Sequence, residues 1–520
     1  MGKHSRYLPA LQITSCLFAF FHFLSEVVLA GLSNDEVEHA HAGWLISRGL
    51  IPFQDFFEHH SPAYLYIVGG FARVWPDANF LLPLRLAHLG CAAVSIGCLC
   101  TCLLRSSGGS KQGRWLGSLF GGTVFLLLTP FTAAFAIRSE PFAITFLLTS
   151  FALAFVAPKR PTLPLLLAAG AILFSPRALL PVIPITLRLS WANAPMPEGR
   201  RRLFVGTLMA CSLIWIGLSI PPGFQSYFDF VILGSSSLEP KWPLTDTFAQ
   251  FRGMSSYLIV VGIAAFVRIA AHSLKSFSRT DGTISPDLRQ FAAWTLLAAW
   301  VGPFVERRAY YTSLSLVAAF SALYLAAEIQ VRLKRPLRWP EGFFFPIHAL
   351  LSFALLLPKP PGWLPQLKYQ LESLSRVGQV VEPIRESGED LDPFDLQLTN
   401  SSVIDAQNAR NRICAHLRGA RVVASTWYHP ICLADSTYWW YGVFFSTSGS
   451  FKAAPLNTAI PPAERMLSEI LAAPPEMIST DWEALPHLKM IARSAGRAVQ
   501  LEEFLRLRYE TRSFYLRLRH

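Results

Sequence analysis

Apolar runs of close to twenty residues recur along the first two thirds of the chain, and no other feature restricts its possible folds as strongly. A helix of that length covers a hydrocarbon core of about 30 Å. It also satisfies its own backbone hydrogen bonds, which a lipid interior demands. The runs predict about eleven membrane-spanning helices, at 12–31, 80–104, 115–131, 141–157, 162–175, 177–190, 203–221, 254–272, 291–304, 312–330 and 341–358. The first follows a basic start (Lys3, Arg6), is long, and lacks an evident small-residue cleavage site, so it reads as an uncleaved helix. Two further stretches, 36–49 and 62–74, are amphipathic and too short to span; they suit helices lying at the membrane interface. Only 15% of the residues are charged, against about a quarter in a soluble domain.

The formal charge is +12, and its placement says more than its size. The cations gather in alternate short loops: Arg105, Lys111 and Arg114; Lys159 and Arg160; Arg188 and Arg200 to Arg202; Lys275 and Arg279; Arg332, Lys334, Arg335 and Arg338. Cytoplasmic loops carry such an excess, so the N-terminus is expected in the cytoplasm and the tail outside it. A charge used for orientation gives no reason to expect a nucleic-acid partner. The expected fold is therefore an all-α polytopic membrane domain over 1–358, followed by an extracytoplasmic linker and a small α/β domain over 359–520. The Pro-rich stretch from Leu357 to Pro365 ends the last run. Beyond it, Ser401 to Leu417 predicts a helix, Arg421 to Thr426 and Glu476 to Thr480 short strands, and the chain from Leu501 a helix or strand. Six of eight cysteines lie in apolar runs as small hydrophobes. Cys414 and Cys432 lie in the polar tail and can pair in an oxidising compartment.

The segment Ser33 to Tyr66 directly follows the first run and holds Asp35, Glu36, Glu38, Asp55 and Glu58 with His39, His41, His59 and His60. Ionisable groups are costly beside hydrocarbon, so their density points to function. A solvated acidic loop and a metal site without catalysis are the competing readings. Asp35 can cap the next helix, since its side chain accepts backbone N–H bonds. It also shares a helix face with His39 one turn on, and a base at this place can take a proton from an acceptor hydroxyl. His59 and His60 precede Ser61-Pro62, where a helix begins; imidazoles beside a helix N-terminus suit a phosphate. Arg138, Arg177, Arg307 and Arg308 sit in short turns with forked donors that fit phosphate oxygens, or reach toward interfacial water. Arg85 reads as an interfacial anchor.

The pair Asp35-Glu36, the stretch Gly49-Leu50-Ile51-Pro52 with Asp55, and His59-His60-Ser61-Pro62 together resemble the GT-C class of glycosyltransferases. The similarity is to the branch of protein O-mannosyltransferases and aminoarabinose lipid transferases, and it loosely covers residues 10–340. The chain departs from that pattern at Ser61, where relatives often carry a first proline. The resemblance implies a polyprenyl-phosphate sugar donor, Asp35 as base beside Glu36, and His60 with its neighbour His59 on the lipid phosphate. Glu140 matches an acidic position of that branch, Arg177 a position often held by Lys, and Arg307-Arg308 a position of Arg before aromatics. His39, Asp55, Glu58, Glu140 and Arg177 are then supporting residues.

A phosphate leaves without a general acid, so one base suffices and inversion at the anomeric carbon is expected. The mannosyltransferase-like branch needs no cofactor; a divalent metal on Asp35, Glu36, His39, His41 and Glu58 is the alternative. The expected partners are the lipid-linked donor, membrane lipid, and an acceptor hydroxyl on protein, lipid or glycan. The expected place is a bacterial inner membrane with the tail in the periplasm, as part of cell-envelope assembly. The rival reading is a transporter or flippase of lipid-linked sugars, against which no paired repeat halves are visible. Tail aromatics (Trp427, Tyr428, Tyr438 to Tyr441) can stack on sugar rings or pack a small core.

Overall fold

The computed structural model describes residues 7–56, 58, 60–106, 111–132, 135–193, 197–219, 257–270, 287–306, 314–332, 402–424, 429–435, 463–480, 484–512 and 515–519, with isolated positions between. Contacts divide the chain into two compact units. One comprises Met1–Val28, Ala87–Gly217 and Lys241–Pro365; the other comprises Leu29–Leu86, Leu218–Pro240 and Gln366–His520. The segment that carries Asp35 and His60 therefore groups with the tail.

The regular elements described in the first unit are all helices. Helix α1 (Tyr7–Phe23) runs into a wider-wound turn, Leu24–Val28. The apolar run near residue 80 forms helix Leu81–Arg105, and helices Lys111–Phe131, Glu140–Val156, Thr162–Phe174, Leu179–Asn193 and Pro197–Leu218 follow. Helices Leu288–Glu306 and Ser315–Arg332 complete the packing. Gly121 lets two helices close: a Cβ there would lie 2.8 Å from Ala326 Cβ. Near the same contact, Gln330 Nε2 donates to the carbonyl of Leu103 (2.8 Å) and to Ser106 Oγ (2.7 Å), so its buried amide is matched.

The expectation of about eleven spans is corrected here. Among the described residues two helices are long and apolar enough to cross a membrane, Leu81–Arg105 and Pro197–Leu218. Several other apolar helices are shorter. Glu140–Val156 has 17 residues and Thr162–Phe174 has 13, about 25 and 20 Å at 1.5 Å per residue, against a core of about 30 Å. Helical geometry also changes at two places. Pro176–Ala178 forms a separate 3-10 turn between Phe174 and Leu179, and α1 loses α-geometry at Leu24. The run at 341–358 lies outside the described residues.

The second unit joins the loop Leu29–Leu86 to the tail. Helices α2 (Asn34–Ser47) and α3 (Pro62–Val74) pack face to face. They were expected at an interface with one wet face, but residues 36–45 of α2 are buried on every side. The tail builds a five-stranded sheet in the order β2-β1-β3-β5-β4. Its strands are β1 (Arg421–Val423), β2 (Ala434–Asp435), β3 (Met477–Ser479), β4 (Tyr509–Arg512) and β5 (Tyr515–Leu518). Strand β1 runs parallel to β2 and β3, and β5 is antiparallel to β3 and β4.

Helices Ala463–Ala472, Ala484–Ser494 and Ala498–Arg508 cover this sheet, and Leu467, Ile470, Ile478, Leu488, Ile491 and Leu501 form the core. Phe53, from the first loop, is part of that core. Helix Val403–His416 ties the two parts further. Its Gln407 and Asn411, one turn apart on one face, accept the backbone N–H groups of Leu82 (3.4 Å) and Ala78 (2.8 Å). Leu82 lies in the first turn of helix Leu81–Arg105, where its N–H has no intrahelical acceptor, and Ala78 lies in the turn that leads into it.

Candidate functional site

The Asp-Glu pair separates into two jobs. Asp35 stands exposed in the first turn of α2, where a negative charge meets the helix dipole favourably. Glu36 is buried: its Oε2 accepts Ser33 N–H (2.9 Å) and Oγ–H (3.1 Å), and its Oε1 meets Arg85 Nη2 at 2.6 Å. Arg85 is 2% exposed and also donates to the Gly31 carbonyl at 3.3 Å. It is thus an internal ion-pair partner, where an interfacial anchor was expected. His39 bonds through Nδ1 to the backbone carbonyl oxygen of Asp35, where the spacing suggested its carboxylate.

Around this start of α2 the loop returns. Asp55 closes its own turn, accepting Ile51 N–H at 2.8 Å. Glu58 accepts both the backbone N–H of His60 (2.9 Å) and its Nδ1–H (2.7 Å), and Glu38 lies 3.7 Å from the same nitrogen. The His60 ring lies 4.3 Å from that of His39, and His39 meets Tyr64 edge-on at 5.6 Å. Asp35, His39 and His60 therefore form one connected group, with the His60 imidazole 21% exposed. The first unit holds a second group. Glu140 pairs with Arg138 (3.4 Å) and with Arg177 (3.2 Å), so one carboxylate stands between two guanidinium groups. His59, Arg307, Arg308 and the tail aromatics lie outside the described residues.

The metal set Asp35, Glu36, His39, His41 and Glu58 is distributed among different neighbours. Among the described residues, two convergent groups have ligand atoms within 4.8 Å of one another: Glu38, Glu58 and His60; and His41, His429 and Asp435. In the second, Ile431 N–H donates to His429 Nδ1 at 3.0 Å. His429 therefore keeps its proton on Nε2, which donates to Asp435 Oδ1 at 3.0 Å and offers no lone pair to a metal. His41 donates from Nδ1 to the Ile431 carbonyl (2.7 Å) and from Nε2 to Asp435 Oδ2 (2.8 Å), so its ring carries both protons.

The electrostatics agree with this assignment. Burial and the His41 charge push His429 down to about 4, against the pull of Asp435. Burial raises the Asp435 carboxyl, but His41 and the two imidazole bonds outweigh it and hold the group below its ordinary value. Arg410, wholly buried, is brought down to about 10 by desolvation and adds to the repulsion at His429. Cys414 and Cys432 form a disulfide beside these groups.

No protein family, curated protein or solved structure matches the chain. The reading of the site therefore rests on its residues. His429, Asp435 and Arg410 escaped the sequence reading because no spacing connects them to His41. The one available signal was a His and an Asp flanking Cys432 in an otherwise ordinary stretch.

Proposed function

We propose that the chain is a membrane glycosyltransferase that moves a sugar from a polyprenyl-phosphate donor to an acceptor hydroxyl outside the cytoplasm, with inversion. Asp35 takes the hydroxyl proton. The His60 imidazole, oriented by Glu58, neutralises charge on the leaving phosphate. Glu36 supports the base by fixing the start of α2 through Ser33 and Arg85. The observation that carries the reading is the exposed Asp35 carboxylate at a helix start, in one connected group with His39 and the partly exposed His60.

Two features support a membrane setting and an oxidising compartment. Helix Pro197–Leu218 shows large apolar side chains to the outside, Phe204 at 69% and Trp215 at 64% exposure; such surface suits lipid. A disulfide in the tail suits an exported domain. The test is an assay of the purified full chain with a panel of polyprenyl-phosphate sugars. Wild type transfers from at least one donor, and Asp35→Asn is slower by about 100- to 10,000-fold, the range for loss of a general base. Transfer by neither protein from any donor removes the reading.

A further inference from the structure

Between β1 and β2 the tail returns residues 429–433 against α2. Ile431 at its centre has φ 72°, the left-handed region, which a β-branched residue adopts only under constraint. Both of its backbone polar groups are used: the carbonyl accepts from His41 and the N–H donates to His429. Both rings then converge on the two oxygens of Asp435, which sits in β2 beside Val422. His41 and His429 are 0% exposed, and the Asp435 side chain 6%. A buried imidazolium and carboxylate of this kind favour a unique arrangement, since any other leaves a charge unpaired. The Cys414–Cys432 bond closes the same loop onto helix Val403–His416. Asp35 is exposed in the first turn of the same helix, whose start is also tied by Glu36 to Ser33 and Arg85.

We infer that Asp435 is a positioning residue: with His429 and the constrained Ile431 it forms a buried latch on His41 that fixes α2, and through α2 the Asp35 carboxylate. The part of the inference concerning transfer rests on the proposed role of Asp35 as base; the latch itself does not. In this arrangement the tail, 394 residues away from His41 in sequence at Asp435, sets the geometry of the first loop. Asp435→Asn leaves a single oxygen to accept from two imidazole N–H groups. His429→Leu removes one donor, whereas His429→Gln keeps an N–H that can reach the carboxylate.

The experiment is amide hydrogen exchange on the full chain in lipid nanodiscs, read over residues 34–47 and over 477–479, with transfer kinetics alongside. Exchange over 34–47 is expected to speed up tenfold or more in Asp435→Asn and His429→Leu. It is expected to stay within threefold of wild type in His429→Gln, and exchange over 477–479 within threefold in all three. With a donor that wild type uses, kcat for Asp435→Asn falls at least tenfold while the donor KM stays within threefold. Unchanged exchange over 34–47 in Asp435→Asn overturns the latch. Equal acceleration over 34–47 and 477–479 also overturns it, because the residue then serves only the stability of the whole unit. Faster exchange confined to 34–47 with full kcat retained overturns the positioning of Asp35. Faster exchange confined to 34–47 in a wild-type background that transfers no sugar supports the latch and removes the glycosyl-transfer reading instead.

Discussion

His429 stays neutral because its surroundings refuse a second proton, and that refusal makes the tail sensitive to acid. Its folded value is about 4, against 6.5 for the ordinary group. Between those limits the unfolded chain binds a proton that the folded chain does not, so stability rises with pH across the window. As pH falls from 6.5 toward 4 this contribution is lost. Asp435, held below its ordinary 3.8, withdraws its own contribution only at lower pH still. Denaturant titrations of the full chain, followed by exchange over 477–479, should show a midpoint that drops between pH 6.5 and 4. His429→Gln, with no group to titrate, should flatten that drop. At the same scale, Asp35 and Glu36 were both legible as a pair worth attention. Their division of labour was not, because neighbours on a helix face different ways and only the fold shows that Glu36 meets Arg85.

The contact between α2 and α3 depends on two glycines. A Cβ on Gly43 would lie 2.3 Å from Val68 Cγ1, and one on Gly69 2.7 Å from Ile46 Cγ2. Gly43→Ala should therefore destabilise the chain by about 1–3 kcal/mol, the usual cost of overpacking. Gly70, in the same helix α3, meets nothing within 4 Å. Gly70→Ala should instead stabilise by about 0.5–1 kcal/mol, by relieving the helix penalty of glycine. Thermal unfolding of both variants checks the contrast. At this scale the apolar runs located helices, since hydrophobic residues mark where the chain withdraws from water. They did not show that the first helix leaves α-geometry at Leu24, inside the run expected at 12–31.

Across the whole molecule, the chain builds its units from separated segments, and within the tail a disulfide adds a covalent tie. It joins residues 18 apart, and closing a loop of that size removes unfolded-chain entropy worth about 3 kcal/mol. The double variant Cys414→Ser, Cys432→Ser should lose about that much in denaturant unfolding read over 477–479. Dithiothreitol should do the same to wild type and nothing to the variant. The sequence by itself determined that the chain is rich in apolar helices, that polar chemistry gathers between Ser33 and Tyr66, and that the tail is a different kind of polypeptide. Those properties follow from local composition and period, which each segment carries alone. Only the tertiary structure decided that the first loop belongs with the tail, that Phe53 completes the tail's core, and that His41 finds its counter-charge at Asp435. Such partners are chosen by complementarity of shape and charge across hundreds of residues, and no local pattern in a single chain records that choice.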